Sequence, residues 1–447
     1  MFSRVLVANR GEVALRVIRA CTELGIETVA IYSRADAGAR YLELADDSVC
    51  VGPPPAAESY LNIPSIISAA EITNVDAIHP GYGFLAENED FAAICEDCNI
   101  VFIGPKSEVM RKMGSKVAAR NIAQERKVPI LPGSEAPIQN DDEAVALAQK
   151  IGYPVIIKAA AGGGGRGMRI AHNEYSLRNM LALARAEALN AFKDDSVYIE
   201  KMLEHARHVE VQILADNHGN ILHLGERDCS IQRRYQKLIE ETPSPGISED
   251  TREGLLRAAV NLARSVAYTN AGTIEFLVDR DGGFYFMEMN TRLQVEHPVT
   301  EQVTGIDIVK EQIRIAAGER LRYPQKRVAF QGAAVECRIN AENPAEGFRA
   351  TPGKITEFML PGGRGVRVDT HVYGGYEVPP FYDSMIAKLI VHGSDRAEAL
   401  NILRRALTEF RVGGVKTTIP FYRDLIEHRG YASGSYDIHF VNEFLGG

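Results

Sequence analysis

Asp281-Gly282 lies between two strand-like runs at 272–280 and 283–289, and it is a strong short-range hairpin signal. A two-residue turn there sets Glu275 directly opposite Glu288. Carboxylates facing each other on neighbouring strands repel, so a proton or a cation must lie between them. The chain then alternates polar and apolar residues: Glu288, Asn290, Arg292, Gln294 and Glu296 are separated by Met289, Thr291, Leu293 and Val295. If the stretch is extended, a period of two puts the five polar groups on one face. Two Glu and an Asn form an all-oxygen set that suits Mg2+ (or Mn2+) rather than zinc. Arg292 and Glu296 add an anion clamp and a base. The competing reading, a solvated edge strand, is opposed by the apolar run Phe284-Tyr285-Phe286-Met287, which predicts burial.

The rest of the chain narrows the class. Its 447 residues are material for about three domains. A net charge of −9 argues against a general nucleic-acid binder. No apolar run approaches the ~18 residues of a membrane span. Met1 leads straight into the strand-like Val5-Leu6-Val7-Ala8, so no targeting segment is expected. Six cysteines in so long a chain do not make a disulfide framework, which predicts a reducing, cytoplasmic setting. Cys95 and Cys98 form a CxxC without a second pair and read as helix neighbours, not half a zinc site.

Strand and helix signals alternate over the first hundred residues: strands at 4–8, 27–32, 77–79 and 100–103, and a helix at 12–24. That rhythm predicts a parallel α/β sheet. The first turn, Ala8-Asn9-Arg10-Gly11-Glu12, has one glycine where a dinucleotide fingerprint needs three, so a Rossmann dehydrogenase is excluded. Farther on, strand 155–158 runs into Gly162-Gly163-Gly164-Gly165-Arg166-Gly167. Such a loop can turn backbone N–H groups onto phosphates, and ordering it costs entropy, so it reads as a lid that is mobile when empty. Lys158, ending an apolar strand, needs an anionic partner. The cationic segment 227–237 reads on its own as a solvated face. His205 and His208 lack a third nitrogen or sulfur ligand and read as hydrogen-bonding residues. A third region starts near 334 and ends in helix-forming sequence at 396–410.

In order along the chain stand Ala8-Asn9-Arg10-Gly11-Glu12, His79-Pro80-Gly81-Tyr82-Gly83, Met113-Gly114-Ser115-Lys116, the 162–168 loop, Arg227-Asp228-Cys229-Ser230, Glu288 to His297, and Tyr382-Asp383-Ser384-Met385. This succession resembles the biotin carboxylase component of acetyl-CoA carboxylase, an ATP-grasp enzyme of the biotin-dependent carboxylases. The resemblance covers essentially the whole chain. It implies an α/β fold, α+β in part: an N-terminal Rossmann-like parallel domain at 1–113, an ATP-grasp domain at 114–333 with a lid at about 131–203, and a mixed α+β C-terminal domain at 334–447. It implies that ATP phosphorylates bicarbonate to carboxyphosphate, and that the carboxyl group passes to biotin N1′ on a separate carrier.

By that resemblance Lys116 and Lys158 contact ATP phosphates, with Gly164 and Gly165 above them. Glu200, Lys201, Met202 and Leu203 hold adenine, and His208 and Tyr235 lie near the ribose. Glu275 and Glu288 bind Mg2+, with Asn290 for a second ion. Lys237, Arg292, Gln294 and the Val295 backbone hold bicarbonate, Glu296 is the base, and Arg338 stabilises the biotin enolate. Many relatives have His where Tyr235 stands. No Met-Lys-Met biotinylation motif is present, so the partners implied are a biotin carboxyl carrier protein and carboxyltransferase subunits. A homodimer is implied as well, near Arg16 and Arg19, with Arg364 replacing an aromatic and Glu23 as its candidate partner. Another bicarbonate-activating ATP-grasp ligase, such as half of a carbamoyl-phosphate synthetase, is the alternative enzyme. A non-catalytic nucleotide-binding protein is the alternative outside catalysis. Propionyl-CoA or pyruvate carboxylase remains an alternative parent assembly.

Overall fold

The computed structural model describes residues 1–159, 168–192 and 194–446. Gly164 and Gly165, with the rest of the predicted glycine loop up to Gly167, lie outside them.

The first strands, β1 (Arg4–Val7), β2 (Glu27–Ser33), β3 (Asp47–Gly52), β4 (Ala77–His79) and β5 (Val101–Phe102), form a parallel sheet in the order β3-β2-β1-β4-β5. Consecutive β1 residues pack on opposite faces. Val5 and Val7 meet the helix Gly11–Glu23, while Leu6 joins Ile66 and Phe91. Burial on both faces explains the continuous apolar run. The strand order reverses between β1 and β4, where open α/β sheets place a ligand. Here the Asn9 amide closes the crevice by donating to the Pro80 and Tyr82 carbonyls, both at 2.7 Å.

Strands β6 (Val155–Ala159), β7 (Arg169–Ala171) and β8 (Val197–Lys201) make a small sheet, β7-β6-β8. It packs on the helices Asp141–Ile151 and Glu174–Phe192 through Ala144, Ile157, Leu177, Leu181 and Ile199.

The largest sheet is antiparallel and has eight strands. It contains β9 (Arg207–Ala215), β10 (Ile221–Arg233), β11 (Gln236–Thr242), β12 (Asn270–Val278), β13 (Phe284–Asn290) and β14 (Ala333–Asn340), and the strands Met385–Gly393 and Val366–Asp369. Their order is β13-β12-β9-β10-β11-β14, then 385–393 and 366–369, so one sheet runs without a break from the central region into the C-terminal one. Its back face is apolar. Val209, Val211, Ile274 and Phe276 pack on the helix Glu249–Ser265, and Ile239, Val335, Cys337 and Leu389 pack on the helices Arg396–Glu409 and Ile419–Glu427. Fully burying each such side chain contributes ~1.5–3 kcal/mol. The front face is polar, and the helix His297–Thr304 covers part of it.

The hairpin differs from its sequence reading in two ways. The turn is a three-residue loop, Arg280-Asp281-Gly282: Asp279 N–H bonds the Gly283 carbonyl, and Gly282 takes a φ of +84° that favours glycine. A bulge then inserts Met287 into β13, where Phe276 pairs with Phe286 but Glu275 with Glu288. The two one-residue shifts cancel, so Glu275 and Glu288 still face each other. The extended reading of 288–296 holds only as far as Asn290; the segment then turns, and the helix begins at His297. The run 284–287 is mostly half-buried, with Phe286 alone fully inside.

The charged segment 227–237 is not a solvated face. Arg227 is wholly buried, and only the β10–β11 turn is exposed, at Arg234 and Tyr235, which have positive φ, and at Gln236. All six cysteines are free, and Cys95 and Cys98 lie on and just past the helix Glu89–Asp97. Among the described residues no helix is long and apolar enough to cross a membrane.

Candidate active site

Register builds the front face. Glu288 on β13 pairs with Glu275 on β12, Glu275 with Glu210 on β9, and Glu210 with Arg227 on β10. Three carboxylates thus stand in a row across three strands. Such a row is destabilising unless cations intervene. Two protein cations do. Arg227 donates from Nε to Glu210 at 2.5 Å, and its other nitrogens reach Gln212, Thr300 and Thr273. Lys237 Nζ, from β11, lies 2.6 Å from Glu210, 3.0 Å from Glu275 and 2.7 Å from Glu296. Burial opposes the charge of Lys237, but its thiol and carboxylate neighbours hold it ionised, well above the ordinary lysine range.

Glu296 is fully buried where the helix His297–Thr304 begins. One oxygen meets Lys237, and the other accepts from Arg338 NH2 at 2.9 Å. Burial alone would raise its pKa; Lys237, Arg338 and Arg227 outweigh that and hold it well below the usual carboxylate range. Arg338, on β14, is held from behind by Glu240, with Nε at 2.6 Å and NH2 at 2.5 Å from one oxygen. Arg292 is aimed by Glu87, which accepts from Nε at 2.8 Å while also taking the Thr291 N–H. Its other nitrogens reach Gln294 and Asn290. The Val295 carbonyl accepts from Lys388 at 2.9 Å.

Glu275 accepts from Lys237 and Asn290, and His208 Nε2 stands 3.0 Å away, off the line a hydrogen bond needs. Burial would raise Glu275, but Lys237 and His208 pull it far down. Burial lowers His208, and Glu275 more than reverses this. Glu288 differs. It is half-buried, has no cation within ion-pair distance among the described residues, and is pushed up by burial and by Glu275. An under-neutralised carboxylate beside a second carboxylate and an amide fits a hard divalent cation. Asn290 turns its nitrogen to Glu275 and its oxygen to Arg292, so it borders this pair and is not a free ligand.

The predicted nucleotide residues gather one layer away. A cavity of about 260 Å3 between the helix Lys116–Glu125 and the small sheet is lined by Lys116, Arg120, Lys158 and Glu200. The Glu200 carboxylate binds Arg120 with one oxygen and Lys158 with the other, both at 2.5 Å, so its side chain is committed to cations and not to adenine. Burial pushes Lys116 down despite Glu288 nearby. The Lys201 and Met202 N–H groups are bonded to the Pro132 and Pro154 carbonyls, which leaves Leu203 as the other predicted backbone contact. Tyr235 stands half in solvent at the hairpin tip. His205 pairs with Asp437 at 2.9 Å, away from His208.

Sequence reasoning missed Glu87, Arg120, Glu210, Arg227 and Glu240 as site residues. Glu210 had a signal, since it lies two residues beyond His208 on the same strand face. Arg227 had one as well, since it opens one of the motifs that carry the resemblance, whereas Glu240 had none, because only the non-local pairing of β11 with β14 buries it.

The family model described as the biotin carboxylase N-terminal domain matches residues 1–110, and that of the biotin carboxylase C-terminal domain matches 336–443. Between them, 115–323 match the ATP-binding domain of the carbamoyl-phosphate synthase L chain. The flanking matches decide between the two bicarbonate-activating readings. The chain belongs to the biotin carboxylase family. It is 55% identical to biotin carboxylase 1 of Bacillus subtilis, over 99% of both chains. It is 53% identical to a pyruvate carboxylase subunit of Methanothermobacter thermautotrophicus, over 100% of this chain and 91% of that one. Among solved structures it resembles the biotin carboxylase domain dimer of Hydrogenobacter thermophilus 2-oxoglutarate carboxylase, in complex with MgADP, ADP and bicarbonate. That likeness has a TM-score of 0.96 and 48% identity over 100% of this chain and 98% of that one. Membership makes the chain an ATP-dependent ligase whose reaction is the carboxylation of biotin.

Proposed function

We propose that this chain uses ATP, Mg2+ and bicarbonate to carboxylate biotin held on a separate biotin carboxyl carrier protein, as the first half-reaction of a cytoplasmic acetyl-CoA carboxylase. The observation that carries the assignment of roles is Glu296, with a lysine on one oxygen and an arginine on the other. Bicarbonate bound by Lys237, Arg292 and Gln294 competes for the lysine. Glu296 then loses part of the field that depresses its pKa and becomes able to accept the bicarbonate proton. Once protonated, it also loosens its hold on Arg338, which turns its charge toward the enolate formed when biotin N1′ is deprotonated. Lys116 and Lys158 neutralise the ATP phosphates, with Glu200 setting the position of Lys158. A divalent ion held by Glu275 and Glu288 beside Asn290 would supply further charge neutralisation for phosphoryl transfer. The N-terminal, ATP-grasp and C-terminal units are proposed to divide near 113 and 333, although the large sheet crosses the second boundary.

ATP cleavage that depends on free biotin, bicarbonate and Mg2+ tests the activity. Carboxylation of an acyl-CoA without a biotinylated carrier would sink the role in trans. A pyruvate carboxylase parent is a second reading, favoured by the relative from Methanothermobacter. Carboxylation assays with each candidate carrier and carboxyltransferase decide it. We also propose a homodimer through the region of Arg19 and Arg364, both exposed. Glu23, the expected partner of Arg364, is already paired with Lys310 of its own chain, so the partner's contribution must differ. A strict monomer in sedimentation at tens of micromolar would refute the dimer.

A further inference from the structure

A second pair of facing carboxyl groups lies in the same sheet, outside the roles assigned above. Glu240 on β11 and Glu336 on β14 are direct register partners, and both are fully buried. Three of their four oxygens have no hydrogen-bond partner: Glu240 Oε2 and both oxygens of Glu336. The fourth, Glu240 Oε1, accepts from Arg338 Nε and lies within ion-pair distance of its NH2. We propose that Glu240 is a positioning residue for Arg338, anchoring the guanidinium by Nε and NH2, while Glu336 carries a proton and so leaves a single negative charge behind the arginine. The inference rests on the reading of Arg338 as the group that meets biotin.

The charges around the pair require this. Arg338 NH2 also reaches Glu296. Without Glu240 the base would be the only carboxylate holding the arginine, and each would immobilise the other. With Glu240 behind it, Arg338 stays charged and placed when Glu296 takes up a proton. Glu336 cannot add a second negative charge cheaply. The cation that acts on it most strongly, Lys388, is fully buried and bound to Glu12 at 3.0 Å and to the Val295 carbonyl at 2.9 Å. A proton is the remaining compensation.

The groups facing the pair come from every neighbouring element. They are Arg338 on β14, Lys237 on β11, Cys229 on β10, Glu296 at the start of the helix His297–Thr304, Lys388 on the strand Met385–Gly393, and Tyr82 in the loop after β4, while Cys337 and Tyr422 lie close by in the core on the opposite face. Burial pushes Glu336 well above the ordinary carboxyl range, with Lys388 opposing. Burial likewise raises Glu240, to about 7, against the pull of Arg338. Glu240 must be ionised to hold the arginine, so the biotin-dependent rate falls as pH drops through about 7.

The test measures biotin-dependent and biotin-independent ATP cleavage by the full chain across neutral pH. In Glu240→Gln the biotin-dependent kcat falls roughly 100-fold, the scale of a misplaced catalytic group. Biotin-independent cleavage falls far less, and the acid limb near pH 7 disappears. A wild-type rate with a wild-type limb overturns the proposal. If that variant does not fold, Glu240→Asp keeps the charge but draws the arginine back, so it retains the limb at a reduced rate; an unchanged rate overturns the anchoring role. In Glu336→Gln the limb stays in place, because the residue is already neutral there. A limb moved down by ~1 unit, as loss of a neighbouring charge would produce, overturns the assignment of the proton. Arg338→Gln separates the two levels. Full biotin-dependent activity in that variant overturns the reading of Arg338 itself; loss there with Glu240→Gln unaffected overturns the anchoring alone.

Discussion

Glu275 with Glu288, and Glu240 with Glu336, are the same arrangement twice: two glutamates opposite each other on neighbouring strands of one sheet. Their surroundings separate them. The first pair opens on the nucleotide side, with Glu288 half-buried and without a protein cation in ion-pair range among the described residues. The second is sealed, and most of its oxygens are orphaned. Repulsion between facing carboxylates has two remedies, a cation or a proton, and access chooses between them. A hydrated divalent ion can reach the open pair, whereas the sealed one is left with protonation. Glu296 stands between them, bound through Lys237 to the side of Glu275 and through Arg338 to the side of Glu240.

The largest expected effect breaks the open pair. Glu288→Gln keeps the shape and removes the charge, so turnover should become undetectable while circular dichroism stays native. Retained activity would remove the metal assignment and make the two pairs equivalent. Next comes the link between them. Glu296→Ala should lower bicarbonate-dependent ATP cleavage by about 10²–10⁴-fold, the range for a positioned proton-transfer group. Nucleotide binding should survive, because Lys116, Lys158 and Leu203 are untouched. A variant that instead lost ATP affinity and kept its chemical step would make Glu296 structural.

The open pair was legible in the sequence and the sealed pair was not, for a physical reason. Glu275 and Glu288 belong to one hairpin, where the turn fixes the register. Even there the agreement owed something to cancellation, since the longer loop and the bulge at Met287 offset each other. Glu240 and Glu336 meet only because β11 pairs with β14, far away in the chain. Arg227 shows the same limit: a charged run reads as a surface until the sheet closes over it. The parallel N-terminal sheet was readable from its rhythm, because alternating strand and helix signals leave few other ways to pair the strands.

A smaller effect sharpens the contrast by ligand. Mg2+ at a hundredfold excess over its Kd should stabilise the wild-type chain by about 2.7 kcal/mol, through binding to the native state alone. Glu336→Gln should keep that stabilisation and Glu288→Gln should lose it. Equal loss in both, followed by thermal denaturation with and without the ion, would show that the sealed pair also takes the cation.

The smallest effect is a slope. Glu240 and Glu336 have raised folded-state pKa values, so between the ordinary carboxyl range near 4.3 and about pH 7 the native state binds more protons than the unfolded one. Their contribution to stability is therefore present at acidic pH and lost as pH rises through that window. Each proton changes the slope by at most ~1.4 kcal/mol per pH unit. Glu296 works the other way. Its depressed pKa contributes stability above the ordinary carboxyl range that is lost as pH falls. In the metal-free open pair the two shifts oppose each other, Glu275 down and Glu288 up. Denaturant unfolding of wild type and Glu336→Gln at several pH values reads the difference. Stability of the wild type relative to the variant should decline from pH 5 toward pH 7, because glutamine cannot give up a proton it never held. A relative stability that stays flat over that range would mean that Glu336 is ionised in the folded chain, and that a cation, not a proton, compensates the sealed pair.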